Sequence, residues 1–331
     1  MTPSTQRIVT TTCPAKLNLF LELLARRDDG FHEIDTLMVA IDLCDDLAVR
    51  TTARAGIRID VDLLPSRQDW IERLGLHDDA VGMLTIPTDE RNLIHRATRA
   101  MADHFDLPGG FDVRLRKRIP AGAGMGGASS NAAMTLIAIT ELFDLPIRSP
   151  AIRKIAADLG SDVPFFLGAG DENAASEPSP LAHAGGRGEK LRTLRLARTL
   201  HFVIVFPAVS LSTADVYRAS TVPQKPASSQ TLADQLATCT VSDLGQFMLN
   251  RLSDPAKKIA PQIDEIHETM WQSGLKAVQL TGSGSASFAI AGSEDEARSA
   301  ADRLRTRLTP GALVMTARSL PVPVATQKRQ L

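Results

Sequence analysis

The chain has 331 residues, with 37 Lys and Arg against 38 Asp and Glu for a net charge of −1, so no basic excess points to nucleic acid or to an anionic membrane surface. Its three cysteines, Cys13, Cys44 and Cys239, are odd in number and far apart, which argues against a disulfide framework or a zinc cluster and predicts small buried thiols in a reducing compartment. No signal segment opens the sequence and its strongest apolar run, Phe202 to Phe206, is far too short to span a bilayer, so a soluble, cytoplasmic protein of two domains, 1–195 and 196–331, is expected.

In residues 14–25, Leu17, Leu19, Leu21 and Leu23 share one face of a strand while Lys16, Asn18, Phe20 and Glu22 share the other, so Lys16 and Asn18 project side by side. Arg27-Asp28-Asp29-Gly30 is a turn, after which Phe31-His32-Glu33-Ile34-Asp35 resumes a strand; 14–43 therefore reads as a β-hairpin with Phe31 and His32 near its bend. The segment 50–90, with a short strand candidate at Ile57–Val61 and polar connections holding Pro65 and Pro87, is expected to be a variable insertion. Asn92 caps a helix on Leu93, Ile94, Ala97, Met101 and Phe105, ended by Pro108-Gly109-Gly110. Phe111, Val113, Leu115, Lys117 and Ile119 then alternate with Asp112, Arg114, Arg116 and Arg118, as in a strand with one wet face.

That strand feeds a run from Ile119 to Ala133 crowded with glycine. Glycine admits positive φ and carries no Cβ, so successive N–H groups can turn toward one anion. A helix on Ala132, Ala133, Leu136, Ile137 and Leu142 follows, with Ser129, Ser130 or Asn131 as its N-cap, which sets the loop at the positive end of a helix dipole. Gly122, Gly124 and Gly127 satisfy G-x-G-x-x-G, but a dinucleotide fold needs a fully buried parallel strand before the loop. No Lys-Ser or Lys-Thr pair closes a Walker A loop, and a protein-kinase glycine loop lies in a hairpin with no helix after it. What remains, set against a turn that is merely well packed, is a cradle suited to ATP phosphates with Mg²⁺.

Ser149-Pro150 opens a helix striped by Ile152, Ile155, Ala156 and Leu159, with Gly160 as a left-handed C′ residue, and Asp162 follows in a short loop. The stretch 171–188 reads as a mobile excursion. A strand at Leu200–Phe206, a loop with Ser210, Ser212 and Thr213 leading to Tyr217, and helices near 231–251 and 261–273 come next. Lys276–Leu280 and Ser287–Ala291 flank a second glycine loop, Thr281–Ser285; Ser293 to Glu296 is a capping box before a helix, and Ala312–Ala317 closes with a strand. The mixture is α+β, and no fixed-period repeat is visible. Singly, Lys16 reads as a surface lysine, Asp162 as a loop carboxylate, His32 as a satisfied polar residue and Tyr217, the only tyrosine, as a partly buried aromatic. Beside a phosphate site, an Asp to accept a hydroxyl proton and a Lys to neutralise and orient it make a functional pair.

Pro120 to Ala133 resembles the phosphate loop of the GHMP kinases, and Thr281–Ser285 resembles their late glycine motif. Pro14-Ala15-Lys16-Leu17-Asn18, Arg27 to Leu37, Asn92-Leu93-Ile94 and Gly160 to Phe166 resemble the branch of that family acting on a cytidylyl sugar alcohol. The resemblance implies a ribosomal-protein-S5-like N-terminal domain, a ferredoxin-like C-terminal domain and an active site between them. It implies ATP-dependent phosphorylation of the 2-hydroxyl of 4-diphosphocytidyl-2-C-methyl-D-erythritol, in the non-mevalonate route to isoprenoid precursors. By this resemblance Asp162 is the base and Lys16 its partner, Asn18 holds the substrate, His32 reads the cytosine edge, and Phe31 and Tyr217 are aromatic walls. Asn92 and Leu93 lie on the adenine side, and Pro120, Gly122, Gly124, Met125, Gly126, Gly127, Ser129 and Ser130 surround the ATP phosphates; no metal ligand is assigned. Phe31 stands where tyrosine is expected, Pro207-Ala208-Val209-Ser210 replaces Pro-Gly-Val-Ser, and the segments 50–90 and 171–185 have no counterpart. The alternatives are another GHMP kinase, acting on homoserine or mevalonate, and a non-catalytic nucleotide sensor.

Overall fold

The computed structural model describes residues 7–77, 81–168, 180–308, 310–320 and 327–330. Its spine is an antiparallel hairpin, Arg7–Arg26 with His32–Thr52, longer at both ends than the sequence pattern suggests. The second of these strands has two partners: its outer part pairs with Gly110–Lys117 and its part nearer the bend with Leu181–Gly185. Gly56–Leu63 adds in parallel to Gly110–Lys117, and Lys190–Leu194 pairs with Leu181–Gly185. Gln327–Gln330 and Leu249–Asn250, both from the far half of the chain, complete an eight-stranded sheet by pairing with Arg7–Arg26.

The wet-faced strand is as expected. Val113 and Leu115 are buried, while exposed Arg114 and Arg116 pair with Asp62 and Asp46. Helices Leu93–Phe105, Gly127–Leu142 and Pro150–Leu159 cover the dry face, packing Ile94, Met101, Leu136, Ile139 and Ile152 on Val9, Leu47, Val49, Phe111 and Val113. Each such side chain contributes about 1.5–3 kcal/mol by leaving water. Two of the helices start where the sequence places them: Asn92 Oδ1 accepts from Ile94 N at 2.9 Å, and Ser149 Oγ accepts from Ala151 N with Pro150 in the first turn.

The second sheet is four-stranded and antiparallel, ordered Ala312–Arg318, His201–Pro207, Ser287–Ala291, Ala277–Leu280. Helices Gln262–Gln272 and Glu294–Leu308 complete a β-α-β-β-α-β unit of ferredoxin-like order. Val203, Val205, Ala289 and Val314 pack on these helices through Ile266, Met270, Ala300 and Leu304. On the opposite face Phe202, Ile204, Phe206, Phe288 and Ile290 meet Leu17, Leu19, Leu37, Val39 and Ile41 of the hairpin. Phe202 to Phe206 is apolar throughout because both faces of its strand are covered.

Several expectations are corrected. The helix after the glycine loop is capped by Gly126, at φ +68°, and not by Ser129, Ser130 or Asn131, because a left-handed glycine lets the chain turn straight into the helix. Gly160 has φ 167° and ψ 154°, extended backbone, because the chain runs directly on to Asp162 and the helix Val163–Leu167. A β-bulge between Asn18 and Phe20 breaks the alternation, so Phe20 joins Leu17 and Leu19 in one cluster while Leu21 and Leu23 join another. Within 50–90, more is ordered than the short strand candidate suggests: Gly56–Leu63 is a sheet strand, and the Ser66-capped helix Arg67–Leu74 buries Trp70 and Leu74 in the core. Of 171–188, residues 171–179 lie outside the described residues, and Leu181–Gly185 is a paired strand. The 231–251 region holds two short helices, Ser229–Gln235 and Val241–Leu244, and the strand Leu249–Asn250. Cys13 is buried but Cys44 and Cys239 are partly exposed, and all three thiols are free. No helix among the described residues is long and apolar enough to cross a membrane.

Candidate active site

A cleft of about 1010 Å³ lies between the two sheets, walled by the hairpin, the first glycine loop, the start of Gly127–Leu142, Asp162, the helix Thr213–Arg218 and the second glycine loop. Gly122, Gly124 and Gly126 take φ of +69°, +74° and +68°, so alternate residues of the first loop are left-handed, an arrangement that turns main-chain N–H groups toward one concavity. The loop is fastened at two carbonyls. Lys16 N donates to Met125 O at 3.0 Å and Ala286 N donates to Ala123 O at 3.2 Å. A Cβ on Gly124 would stand 2.2 Å from Thr281 O, so the two glycine loops approach as closely as backbone allows.

Under the loop is a charged cluster that the pattern reading missed. Asp45, fully buried, accepts from Lys117 Nζ at 2.6 Å, Asn131 Nδ2 at 2.9 Å, and the main-chain N–H groups of Arg118 and Ile119 at 2.7 and 2.8 Å. It ties the end of the wet-faced strand to the first turn of the helix, and Lys117 also faces the cleft. The signal was present, since Lys117 stands in phase with the apolar Phe111, Val113 and Leu115, where a lysine needs a buried partner. Burial, then the negative charge of Asp45, pushes the neighbouring Cys13 thiol far above its ordinary pKa. Asn92 spends its amide on Ile94 N and on Pro87 O, holding Leu93 at the cleft wall.

At the centre, Lys16 Nζ lies 3.6 Å from Asp162 Oδ2. The lysine side chain is 4% exposed and the carboxylate 31%, so the cation is fixed inside while the acid reaches the cleft. Lys16 and Asn18 are side by side, as expected: Lys16 Nζ donates to Asn18 Oδ1 at 2.5 Å, Asn18 Nδ2 to Thr36 Oγ1 at 2.9 Å, and Thr36 Oγ1 to Phe20 O at 2.6 Å. Thr281 Oγ1 accepts from Asn18 N at 3.2 Å and reaches Gly124 O at 3.4 Å.

The far end is aromatic. The rings of His32 and Tyr217 are 5.4 Å apart at 37°, and Phe31 is 52% exposed at the rim. Burial, then Arg26, holds the His32 imidazolium below its usual pKa of 6.5, and burial, then Asp162, raises the Tyr217 phenol, so both are neutral near pH 7. Ser212 caps the helix carrying Tyr217, and Thr213 Oγ1 meets Ser283 Oγ at 2.9 Å, joining that helix to the second glycine loop. In the altered Pro207–Ser210 stretch, Val209 O accepts from Ser285 Oγ at 2.6 Å.

The cleft thus brings together Lys16, Asn18, Phe31, His32, Asn92, Leu93, Pro120, Gly122, Gly124, Met125, Gly126, Gly127, Ser129, Asp162 and Tyr217. Ser130 is the exception. One residue further round the helix than Ser129, it is fully buried away from the cleft, and its Oγ has no protein partner. Besides Lys117, the arginines of the rim went unassigned, and Thr213 and Ser283, though placed in their loops, were not named as site residues.

The model of the GHMP kinases N terminal domain matches residues 92–170, and that of the GHMP kinases C terminal matches residues 234–309. A 4-diphosphocytidyl-2-C-methyl-D-erythritol kinase of Rhodopirellula baltica is 45% identical over 325 residues, spanning 96% of this chain and 97% of its own. One from Pelotomaculum thermopropionicum is 31% identical over 300 residues, spanning 90% and 94%. A crystal structure of 4-(cytidine 5'-diphospho)-2C-methyl-D-erythritol kinase matches with a TM-score of 0.69 at 31% identity, covering 93% of this chain and 98% of that one. A homoserine kinase from Cytophaga hutchinsonii, 18% identical over 99% of both chains with a TM-score of 0.66, shares the fold.

Proposed function

This chain belongs to the 4-diphosphocytidyl-2-C-methyl-D-erythritol kinases of the GHMP family, and from that premise we propose that its cleft transfers the γ-phosphoryl group of ATP to the substrate's 2-hydroxyl through Asp162 and Lys16. It is an ATP-dependent small-molecule kinase with an alcohol as acceptor, in the non-mevalonate route to isoprenoid precursors. The observation that carries the residue assignment is the pair at 3.6 Å, set between a backbone anion cradle and an aromatic recess.

Asp162 accepts the hydroxyl proton as the oxygen attacks the γ-phosphorus in line, the bond to the β,γ-bridging oxygen breaks, and ADP departs with that electron pair. Lys16, held by Asn18, neutralises charge gathering on the acceptor oxygen and the transferring group. Pro120 and Gly122 to Gly127 surround the phosphates, which are received on main-chain N–H groups at the N-terminus of Gly127–Leu142, with Ser129 beside them and Asn92 and Leu93 on the adenine side. Ser130, buried away from the cleft, takes no part in this contact. His32 reads the cytosine edge, Phe31 and Tyr217 flank the base, and Asn18 orients the acceptor.

Among the described residues no cluster of three or more His, Cys, Asp or Glu could cage a metal. Mg²⁺ favours phosphate oxygens and water with one or two protein oxygens, and Ser129 and Asp162 are among the cleft-lining residues that could supply them. When bound, the ion would offset charge on the β- and γ-phosphates. The free thiols accord with a cytoplasmic setting. A coupled ADP-release assay across the cytidylyl substrate, homoserine and mevalonate tests the function. Release with the cytidylyl compound alone is expected; release with another acceptor, or with none, would overturn it.

A further inference from the structure

At the aromatic end of the cleft stands an arginine that forms no ion pair among the described residues. Against a desolvation that raises it, the Asp29 carboxyl is held below its ordinary pKa by the main-chain N–H of Phe31, then by the Arg27 guanidinium, and last by the charge of this arginine. Arg187 lies half-buried on the turn between Leu181–Gly185 and Lys190–Leu194 and faces the cleft, its guanidinium carbon 5.0 Å from the centroid of the Phe31 ring. Arg218, also lining the cleft, is held by Asp215, whereas among the described residues Arg187 forms no ion pair.

The turn beneath it is built to hold still. Gly186 O accepts from Ile34 N at 2.8 Å, Gly188 N donates to Gly185 O at 3.0 Å, and a Glu189 carboxylate oxygen accepts from the Arg187 main-chain N at 2.6 Å. Gly186 permits that last bond, since at φ +70° a Cβ there would lie 2.7 Å from the Glu189 carboxylate. Glu189 is therefore committed to main chain and leaves the guanidinium its charge. Gly188 lies in van der Waals reach of Ser161, from which a Cβ there would stand 3.4 Å, so the turn reaches from the Phe31 ring to the residue before Asp162.

A guanidinium laid on a ring keeps its N–H edge free, and that edge matches two oxygens of a phosphate. Between a base at Phe31 and a hydroxyl at Asp162, the intervening part of the substrate is its diphosphate. We infer that Arg187 determines specificity for nucleoside-diphosphate-linked alcohols: its guanidinium braces Phe31, which lacks a tyrosine's hydroxyl anchor, and binds the diphosphate. The inference rests on the proposed assignment of Phe31 and His32 to the cytosine.

The test uses the full chain with Arg187→Ala and Arg187→Lys, reading KM for the cytidylyl substrate and ATP by ADP release, and affinity for CDP and cytidine by calorimetry. The alanine variant should raise the cytidylyl KM about tenfold, leave the ATP KM within about twofold, and erase most of the preference for CDP over cytidine. The lysine variant should keep that preference yet bind cytidine itself more weakly, because an ammonium retains charge without a planar face. An unchanged KM and CDP affinity in Arg187→Ala would overturn the inference. So would equal losses for CDP and cytidine, or tighter CDP binding, which would show the guanidinium occupying the base's own place. A wild-type enzyme that bound CDP over cytidine through Arg187 yet phosphorylated no cytidylyl alcohol would instead sink the proposed function.

Discussion

At its two ends the cleft is made of different material. The glycine-loop end presents main chain from one stretch of sequence, three left-handed glycines and a helix N-terminus, with two of its carbonyls accepting from the remote Lys16 N and Ala286 N. The aromatic end presents side chains gathered from the hairpin bend, the Gly185–Gly188 turn and the Thr213–Arg218 helix, segments far apart in the chain. A backbone site cannot lose its chemistry by substitution but is intolerant of added volume. A side-chain site tolerates reshaping and carries the choice of substrate.

Asp162 stands where the two ends meet, and its substitution should have the largest effect. Asp162→Asn is expected to lower kcat by about 10²–10⁴-fold while leaving the Kd for nucleotide nearly unchanged, as read by single-turnover kinetics and calorimetry. Near-normal turnover would remove Asp162 from the chemistry. Next comes Gly124→Ala, which forces a Cβ to within 2.2 Å of Thr281 O at φ +74°. Strain of about 1–3 kcal/mol or more should lower Tm and raise the ATP KM, with calorimetric CDP affinity largely kept. Equal damage to both ligands would erase the distinction between the ends.

His32→Ala probes the opposite side. The KM for the cytidylyl substrate should rise about tenfold, close to the worth of one hydrogen bond, and that for ATP should stay put. The smallest effect is in pH. The His32 pKa is pulled below 6.5, so the ring is neutral at pH 7 and remains an acceptor as pH falls toward that value. The cytidylyl KM should therefore be flat from pH 8 to about 6.5 and rise only below it, a rise that His32→Ala abolishes and the ATP KM does not share. A rise already complete at pH 7 would contradict the burial of the ring.

The same contrast explains what could be read without coordinates. Periodicity located the hairpin, the Asn92 cap, the wet-faced strand and the glycine loop, because each is a local rule of one or two turns or strands. It failed where a neighbour overrides the rule. Gly126 displaced three polar candidates as the cap; a bulge at Asn18 put Phe20 with Leu17; pairing to His32–Thr52 made a strand of Leu181–Gly185. Lys16 and Asp162 could be proposed as partners only by resemblance to a family, since 146 positions separate them and no local pattern carries a distance between remote segments. Lys117 was readable in principle, as a charge standing in an apolar row.

Thr281 has a hydroxyl touching Asn18 on the first strand and Gly124 on the loop between, so three remote parts of the chain share one atom. Contacts of such long sequence separation are costly to close and form late in folding. During synthesis the glycine loop and the Lys16 strand would emerge long before Thr281, and the nascent chain would carry every residue proposed for chemistry without the fastening that unites them. Competence for phosphoryl transfer should thus arise in one step near the end of folding, when the last sheet docks.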